Sequence, residues 1–358
     1  VFWDALLPKK RELIGLDIGS HSIKLVELDE GKKGSYILRG LGLAQLPPET
    51  IVEGNIQDRG AVIETIKQLL GNVKPSTKGV ATSISGYSVI VKKISVAKAS
   101  PEELEESIHW EAEQYIPFDI NDVNIDFQVL AESESNPEQL EVMLVAAKKD
   151  IIDTYTGLLR DAGLIPAVIE VDSFAMGNAY EINQIGADLE TCTALIDIGA
   201  EKMNINIVKS GTPSLTRDAS FGGRQITERI QREQGLSFEE AENLKLAGSP
   251  DPEVMKAMEG IYLSVLSAWV SEVERSVELF SATYPTEKVS RIILSGGSSR
   301  VSGLPELLSS GTGLEVEIFD PFVQLEYDAK GFDASYLKYV GPQLAICTGL
   351  ALRKVGDR

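Results

Sequence analysis

Apolar positions along this chain fall into runs that alternate between the periods of strands and of helices. Leu13, Ile14, Leu16 and Ile18 make a nearly continuous apolar stretch, the pattern of a strand covered on both faces. After a short polar break, Ile23, Leu25 and Leu28 alternate with polar residues, as a half-buried strand does. A β-hairpin is the predicted result, with Gly19, Ser20 and His21 at its tip. Further on, Val80–Ile84, Val89–Val96 and Leu140–Ala147 read as strands, and Val123, Ile125, Phe127 and Val129 alternate as another. Among them Leu104, Ile108, Ala112, Tyr115 and Ile116 recur at helical spacing. Ser100-Pro101-Glu102-Glu103 opens that helix with a capping-box spacing and Pro at the first helical position, and Pro117 is expected to stop it. A polar turn is expected from Glu132 to Pro137. The four strands and the helix between them predict a small α+β module.

The first hairpin pattern occurs again. Leu13 to Gly31 matches Thr193 to Gly211 at an offset of 180 residues, with Asp17 and Asp197, Ile18 and Ile198, Gly19 and Gly199, and Gly31 and Gly211 coinciding. The second copy also runs from an apolar strand through Asp-Ile-Gly and a polar turn (Ala200, Glu201) into alternating Met203, Ile205 and Ile207. Two copies this long imply two related domains, not a solenoid. The tips carry a definite chemistry. Gly19 and Gly199 let backbone approach a ligand closely, and successive N–H groups in a tight turn make a nest for anions. Asp17 and Asp197 end their strands beside those nests. Two carboxylates repel phosphates unless a divalent cation lies between, and Mg²⁺ with its retained waters suits that place. Lys24 is within reach as a point charge for the phosphates.

A third glycine site supports the pair. Arg291-Ile-Ile-Leu-Ser-Gly-Gly-Ser-Ser-Arg300 is a buried-type strand running into Gly296, Gly297 and Ser298, and a helix is expected to open after Gly303. Strand end, glycines and helix start make a ligand site at the carboxyl edge of an open sheet.

Composition narrows the classes of function. The chain has 358 residues, 43% of them apolar and 25% charged, and a net charge of −20. That is a soluble globular composition, at a length that suggests two domains. The charge argues against nucleic acid as a partner, since phosphate backbones need clustered Lys and Arg; Lys9, Lys10 and Arg11 are the one basic cluster noted. It also argues against broad adhesion to anionic lipid. The acid is concentrated: Ser100 to Ala147 holds thirteen Asp and Glu and no Lys or Arg. Such a local shift marks a separate module, and its acid describes a face expected to meet partners.

Cys192 and Cys347 sit in apolar runs and read as core residues of a reducing cytosol. His21 and His109 form no Cys/His cluster, so zinc has no candidate ligand set. No run approaches the ~18 apolar residues of a membrane span, and the apolar start, Val1 to Pro8, lacks the features of a signal peptide. No Walker sequence, no Gly-x-Gly-x-x-Gly after a strand and no Gly-x-Ser-x-Gly elbow occurs, which removes P-loop, Rossmann and α/β-hydrolase readings.

Two Asp-Ile-Gly hairpins and a later strand ending in Gly-Gly resemble the actin-like ATPase superfamily, where they are the first phosphate, second phosphate and adenosine motifs. The resemblance implies an α/β, ribonuclease H-like fold of two lobes with ATP or ADP and Mg²⁺ between them. Glu239 to Gly248 is similar to the Glu-x-x-Lys helix that contacts ribose and adenine, which gives Glu242 and Lys245 those roles. Gly341 to Leu352 looks like the second connecting helix. Within the superfamily, Leu16 to Glu27, the string Trp110-Glu-Ala-Glu-Gln-Tyr-Ile-Pro-Phe118 and the ending Gly-Leu-Ala-Leu-Arg353 resemble the PilM family of type IV pilus assembly, which is related to FtsA.

That family implies a division of the chain. Residues 1–85 and 164–190 form the core of lobe 1, and 86–163 form an inserted, partner-binding subdomain. Residues 191–340 form lobe 2, with a helical part around Phe221 to Tyr284, and 341–358 return to lobe 1. The implied partner is the cytoplasmic N-terminal peptide of the inner-membrane protein PilN, docked beside the inserted subdomain. The implied setting is a cytoplasmic ring of copies, peripheral to the inner membrane and near the pilus motor ATPases or platform protein. The superfamily's water-orienting Glu or Gln precedes the first connecting helix. Asp172 matches that position best, with Glu170 nearby; Asp is shorter, so slow or conditional hydrolysis is expected. Two alternatives stay open: a small-molecule kinase on the same fold, which needs an Asp base in a substrate cleft, and an FtsA-like division protein. The latter needs a C-terminal amphipathic helix, and that tether is not expected from the ending Arg353 to Arg358.

Overall fold

The computed structural model describes residues 12–133, 136–183 and 191–356. The apolar start with Lys9, Lys10 and Arg11, part of the polar turn after Glu132, and residues 184–190 before the second hairpin lie outside the described residues.

Strands β1 (Ile14–Ile18), β2 (Ser22–Glu30) and β3 (Tyr36–Gln45) form an antiparallel meander. A small hairpin, β4 (Ile51–Val52) with β5 (Asn55–Ile56), leads to helix α1 (Arg59–Val73), whose N-terminus is capped by Asp58. Strand β6 (Gly79–Ile84) then lies parallel to β1. After β7 (Val89–Ala97), α2 (Pro101–Glu113), β8 (Val123–Glu132), β9 (Gln139–Lys148) and α3 (Lys149–Asp161), β10 (Ile165–Val171) pairs parallel with β6 and runs directly into α4 (Asp172–Asn183).

The second half repeats the plan. Strands β11 (Cys192–Ile198), β12 (Met203–Lys209) and β13 (Thr212–Ala219) are again an antiparallel meander. Helices α5 (Gly223–Gln234), α6 (Phe238–Ala247) and α7 (Pro252–Thr283) follow. Then β14 (Val289–Ser295) lies parallel to β11, and β15 (Glu315–Ile318), after α8 (Leu304–Thr312), lies parallel to β14. A short β16 (Glu326–Tyr327) adds to β3, and α9 (Ala334–Val340) and α10 (Ala345–Ala351) end the fold.

The two sheets have strand orders β10-β6-β1-β2-β3-β16 and β15-β14-β11-β12-β13. Apart from β16 they correspond position for position. The hairpin register is also the same: Ile18 pairs with Ile23 and Asp17 with Lys24, while Ile198 pairs with Met203 and Asp197 with Asn204. The repeat seen in the sequence as one hairpin is therefore a whole five-stranded sheet in the structure.

Each lobe has its own core. Ile14, Leu16, Val62, Ile66 and Leu158 belong to one, and Ile196, Met203, Ile226, Trp269 and Phe280 to the other. A third apolar cluster joins them, combining Ala175, Met176 and Ala179 of α4, Leu350 of α10, and Leu195, Val208 and Ile293 of lobe 2. The two helices cross so closely at Gly349 that a Cβ there would stand 1.6 Å from the carbonyl oxygen of Ala175. Both cysteines are free and buried.

The acidic module is a three-stranded sheet, β7-β9-β8, with α2 laid on one face. Leu104, Ile108 and Ala112 pack there on Val142, Leu144 and Ala146. Ser100 and Glu103 form the reciprocal capping box. Three details differ from the sequence reading. The strand at 80–84, grouped with the module on its apolar pattern, pairs with β1 and β10 in the large sheet, because an apolar run does not declare its partner; the family division sets it in residues 1–85. Helix α2 ends at Glu113, so Tyr115 and Ile116 lie in the turn beyond it. Helix α3 contributes Tyr155, Leu158 and Leu159 to the core of lobe 1. Among the described residues, no helix is long and apolar enough to cross a membrane.

Candidate functional site

The two hairpins close in the same way. The Gly19 N–H donates to the carbonyl of Ser22 at 3.1 Å, and the Gly199 N–H to that of Lys202 at 2.8 Å. These bonds hold the tips tight at the ends of two buried central strands. In the first hairpin Lys24 lies opposite Asp17, with its ammonium 2.9 Å from the carboxylate. Burial works against the Lys24 charge, but Asp17 outweighs it and the pKa is raised. The equivalent place in the second hairpin holds Asn204, whose amide donates to Asp218 at 2.6 Å.

The end of β14 clamps the second hairpin. Ser295 donates to Asp197 at 2.7 Å, and the Ser298 hydroxyl donates to the Gly199 carbonyl at 2.8 Å. Gly296 has φ +86°, and a Cβ on it would stand 2.3 Å from the carbonyl oxygen of Ile198, so glycine is required there. Gly297 follows beside Gln343. The start of α5 closes on the same tip: Gly223 N–H donates to the Gly199 carbonyl at 3.1 Å and Arg224 N–H to that of Ala200 at 2.8 Å. Arg224 also pairs with Glu201.

Helix α6, opened by a Ser237–Glu240 capping box, places Glu242 and Lys245 one turn apart. Lys245 reaches Glu242 at 2.7 Å, Thr227 at 2.9 Å and the carbonyl of Gly223 at 3.3 Å. Thr227 in turn donates to Glu242 at 2.6 Å. Burial tends to raise the Glu242 pKa, but Lys245, with Thr227 and His21, holds it below the ordinary value.

Charged groups of the two lobes face one another here. His21 of lobe 1 feels Glu242 and Lys245 of lobe 2, and also Lys24; burial, the largest influence, lowers its pKa. Asp197 feels Asp17, Lys24 and Asp172. Burial foremost pushes its carboxyl up to about 6, the Ser295 hydrogen bond opposing and Asp17 adding. Asp172, the first residue of α4, is 8% exposed. Lys202, from the second hairpin, places its ammonium 2.8 Å from Asp172, and the Ser85 hydroxyl joins both. Burial favours the neutral acid, but Lys202 keeps the Asp172 pKa lowered.

Of the residues singled out in the sequence, Glu170 stands apart. It pairs with Arg353 at 3.1 Å, and its charged neighbours are Arg353 and Asp126, not the cleft groups. Three features escaped the sequence reading. Gly222-Gly223, ahead of an amphipathic helix, was a visible signal for a fourth glycine turn at the site. Lys202 with Ser85, and Asp218, were not visible, because their partners lie in the other lobe. Asp218 accepts from the Gly86 N–H at 2.5 Å and Glu201 from the Glu53 N–H at 2.8 Å, so backbone of lobe 1 also meets carboxylates of lobe 2.

Among the described residues, no three His, Cys, Asp or Glu side chains converge as a ligand set for a metal. Asp17 and Asp197 fit a cation held chiefly by phosphate and water, the usual habit of Mg²⁺.

Paired sheets of one topology, each presenting an Asp-Ile-Gly hairpin to a shared cleft, define an actin-like two-lobed fold. Solved structures agree. The ethanolamine utilization protein EutJ from Carboxydothermus hydrogenoformans matches with a TM-score of 0.56 at 16% identity, over 97% of this chain and 90% of that one. MreB 5 of Spiroplasma citri bound to AMPPNP matches with a TM-score of 0.51 at 13% identity, over 96% and 95%. The chain belongs to the type IV pilus assembly protein PilM family, whose model matches residues 15–355. A chain of the PilM–PilN type IV pilus biogenesis complex is 31% identical, with a TM-score of 0.87 over 97% of this chain and 100% of that one.

Proposed function

We propose that this protein is a cytoplasmic, nucleotide-binding scaffold of the type IV pilus machine that holds the N-terminal tail of an inner-membrane PilN. The observation that carries the reading is the full-length likeness to a chain of the PilM–PilN complex. ATP or ADP would occupy the cleft, with phosphates on the two hairpin tips and Lys24, and ribose and adenine toward Glu242 and Lys245. Mg²⁺ would bridge the phosphates to Asp17 and Asp197 through water. Asp172 is the residue read as orienting the attacking water, and its pairing with Lys202 supports slow or conditional hydrolysis.

The tail would dock beside the inserted subdomain, in a cavity of about 390 Å³. Tyr87, Val89 and Val91 line it at β7 and just before it, Pro117 and Phe118 from the segment after α2, and Thr216 from lobe 2. It suits a short peptide with apolar side chains. Assembly into a ring near the motor ATPases or the platform protein completes the reading. Calorimetric titration with the PilN N-terminal peptide tests it. Submillimolar binding is expected, and absence of binding would overturn the scaffold. Tyr87 lines the cavity but is 86% exposed, so Tyr87→Ala should weaken the peptide by about tenfold while leaving the melting temperature unchanged.

A further inference from the structure

We propose that Lys202 senses the terminal phosphate of the nucleotide: its ammonium, paired with Asp172 across the cleft, transfers to that phosphate when a triphosphate binds. This rests on the nucleotide-binding reading and adds to it a way of telling triphosphate from diphosphate. The hairpin repeat frames the argument. At the 180-residue offset Lys202 corresponds to Ser22, and Lys24 to Asn204. Each hairpin therefore carries one lysine into the cleft, but at different places. Lys24 stays on its own hairpin, against Asp17 at 2.9 Å. Lys202 leaves its hairpin and reaches Asp172 in the other lobe at 2.8 Å.

The two partners set which phosphate each lysine would meet. Asp172 is the residue proposed to orient water onto the terminal phosphate, so Lys202, 2.8 Å from it, stands where that phosphate would lie, whereas Lys24 stays with Asp17 on the first hairpin. The pair is also unequal in freedom. The Lys202 side chain is 39% exposed and that of Asp172 11%, so the lysine is the partner with room to move. A terminal phosphate carries more charge than one carboxylate and offers three acceptor oxygens, so it competes well for an ammonium. Asp172 is then left with the hydroxyl of Ser85, while Tyr155 and Asp197 remain its neighbours. Transfer of one cation thus breaks a contact between the lobes in response to triphosphate alone.

The test is equilibrium titration of Mg²⁺-ADP and Mg²⁺-AMPPNP against wild type, Lys202→Met, Lys202→Arg and Asp172→Asn. Lys202→Met should lower AMPPNP affinity by about tenfold or more, the worth of one hydrogen bond to a charged group, and change ADP affinity less than about twofold. Lys202→Arg should retain most of the preference. Asp172→Asn removes the competitor that pairs with the ammonium, leaving Asp218 nearby, and should raise AMPPNP affinity. Opposite signs for Lys202→Met and Asp172→Asn are what a merely structural pair would not produce. Equal effects on both nucleotides, or a loss of AMPPNP affinity in Asp172→Asn with the fold intact by thermal melting, would overturn the proposal. Failure of wild type to bind either nucleotide would instead overturn the nucleotide reading itself, and this inference with it.

Discussion

Asp197 shows how one side chain ties burial to function. Burial disfavours its charge and pushes its carboxyl up to about 6 from an ordinary value of 3.8. A raised acid makes the folded state bind its proton more tightly than the unfolded chain does. Its contribution to stability therefore falls as pH rises from about 4 to about 6, and is level above that. Asp197→Asn has no proton to lose. The stability gained by Asp197→Asn over wild type, from denaturant unfolding at a series of pH values, should grow across that window and then plateau. A difference independent of pH would mean that Asp197 is not held protonated. The cation proposed to bind there would offset this cost by supplying the missing charge.

At the level of elements, the meeting of α4 and α10 makes a sharp demand. These helices link the lobes, and Gly349 allows backbone of one to lie on the other. Gly349→Ala drives a methyl into the Ala175 carbonyl and should destabilise the protein by roughly 1–3 kcal/mol, the usual result of overpacking. A melting temperature within a degree of wild type would contradict this. The same elements divide what was legible in the sequence from what was not. The hairpins at Asp17 and Asp197 were legible, because alternation, an acid and a glycine repeat locally. So were the glycines after β14 and the helix with Glu242 and Lys245. The strand at 80–84 was legible as a strand from its pattern, but only the family division, not the pattern, set it in the core of lobe 1. Glu170 is two residues from Asp172 in sequence, yet it pairs with Arg353, since near neighbours where a strand meets a helix need not share a face. Lys202 is 30 residues from Asp172 and in another lobe, a contact that no local pattern announces.

On the scale of the molecule, the acidic module and the cleft serve different ends. The acid lies on the exposed face of α2 and on the small sheet, whereas the cleft draws on residues elsewhere in both lobes. They still touch. Ser85 and Asp218 line the cavity beside the inserted subdomain, and the same two residues stand next to Lys202. A peptide in that cavity and a phosphate in the cleft would thus act on shared groups, and any coupling between them must be reciprocal. All of this depends on one central claim, that the two hairpins form a single nucleotide site. Calorimetric titration of wild type and Lys24→Met with Mg²⁺-ATP tests it most directly. The account predicts one site per chain, weakened by about tenfold or more when the Lys24 ammonium is removed. Wild type that takes up no nucleotide, or Lys24→Met that binds as wild type does, would contradict it.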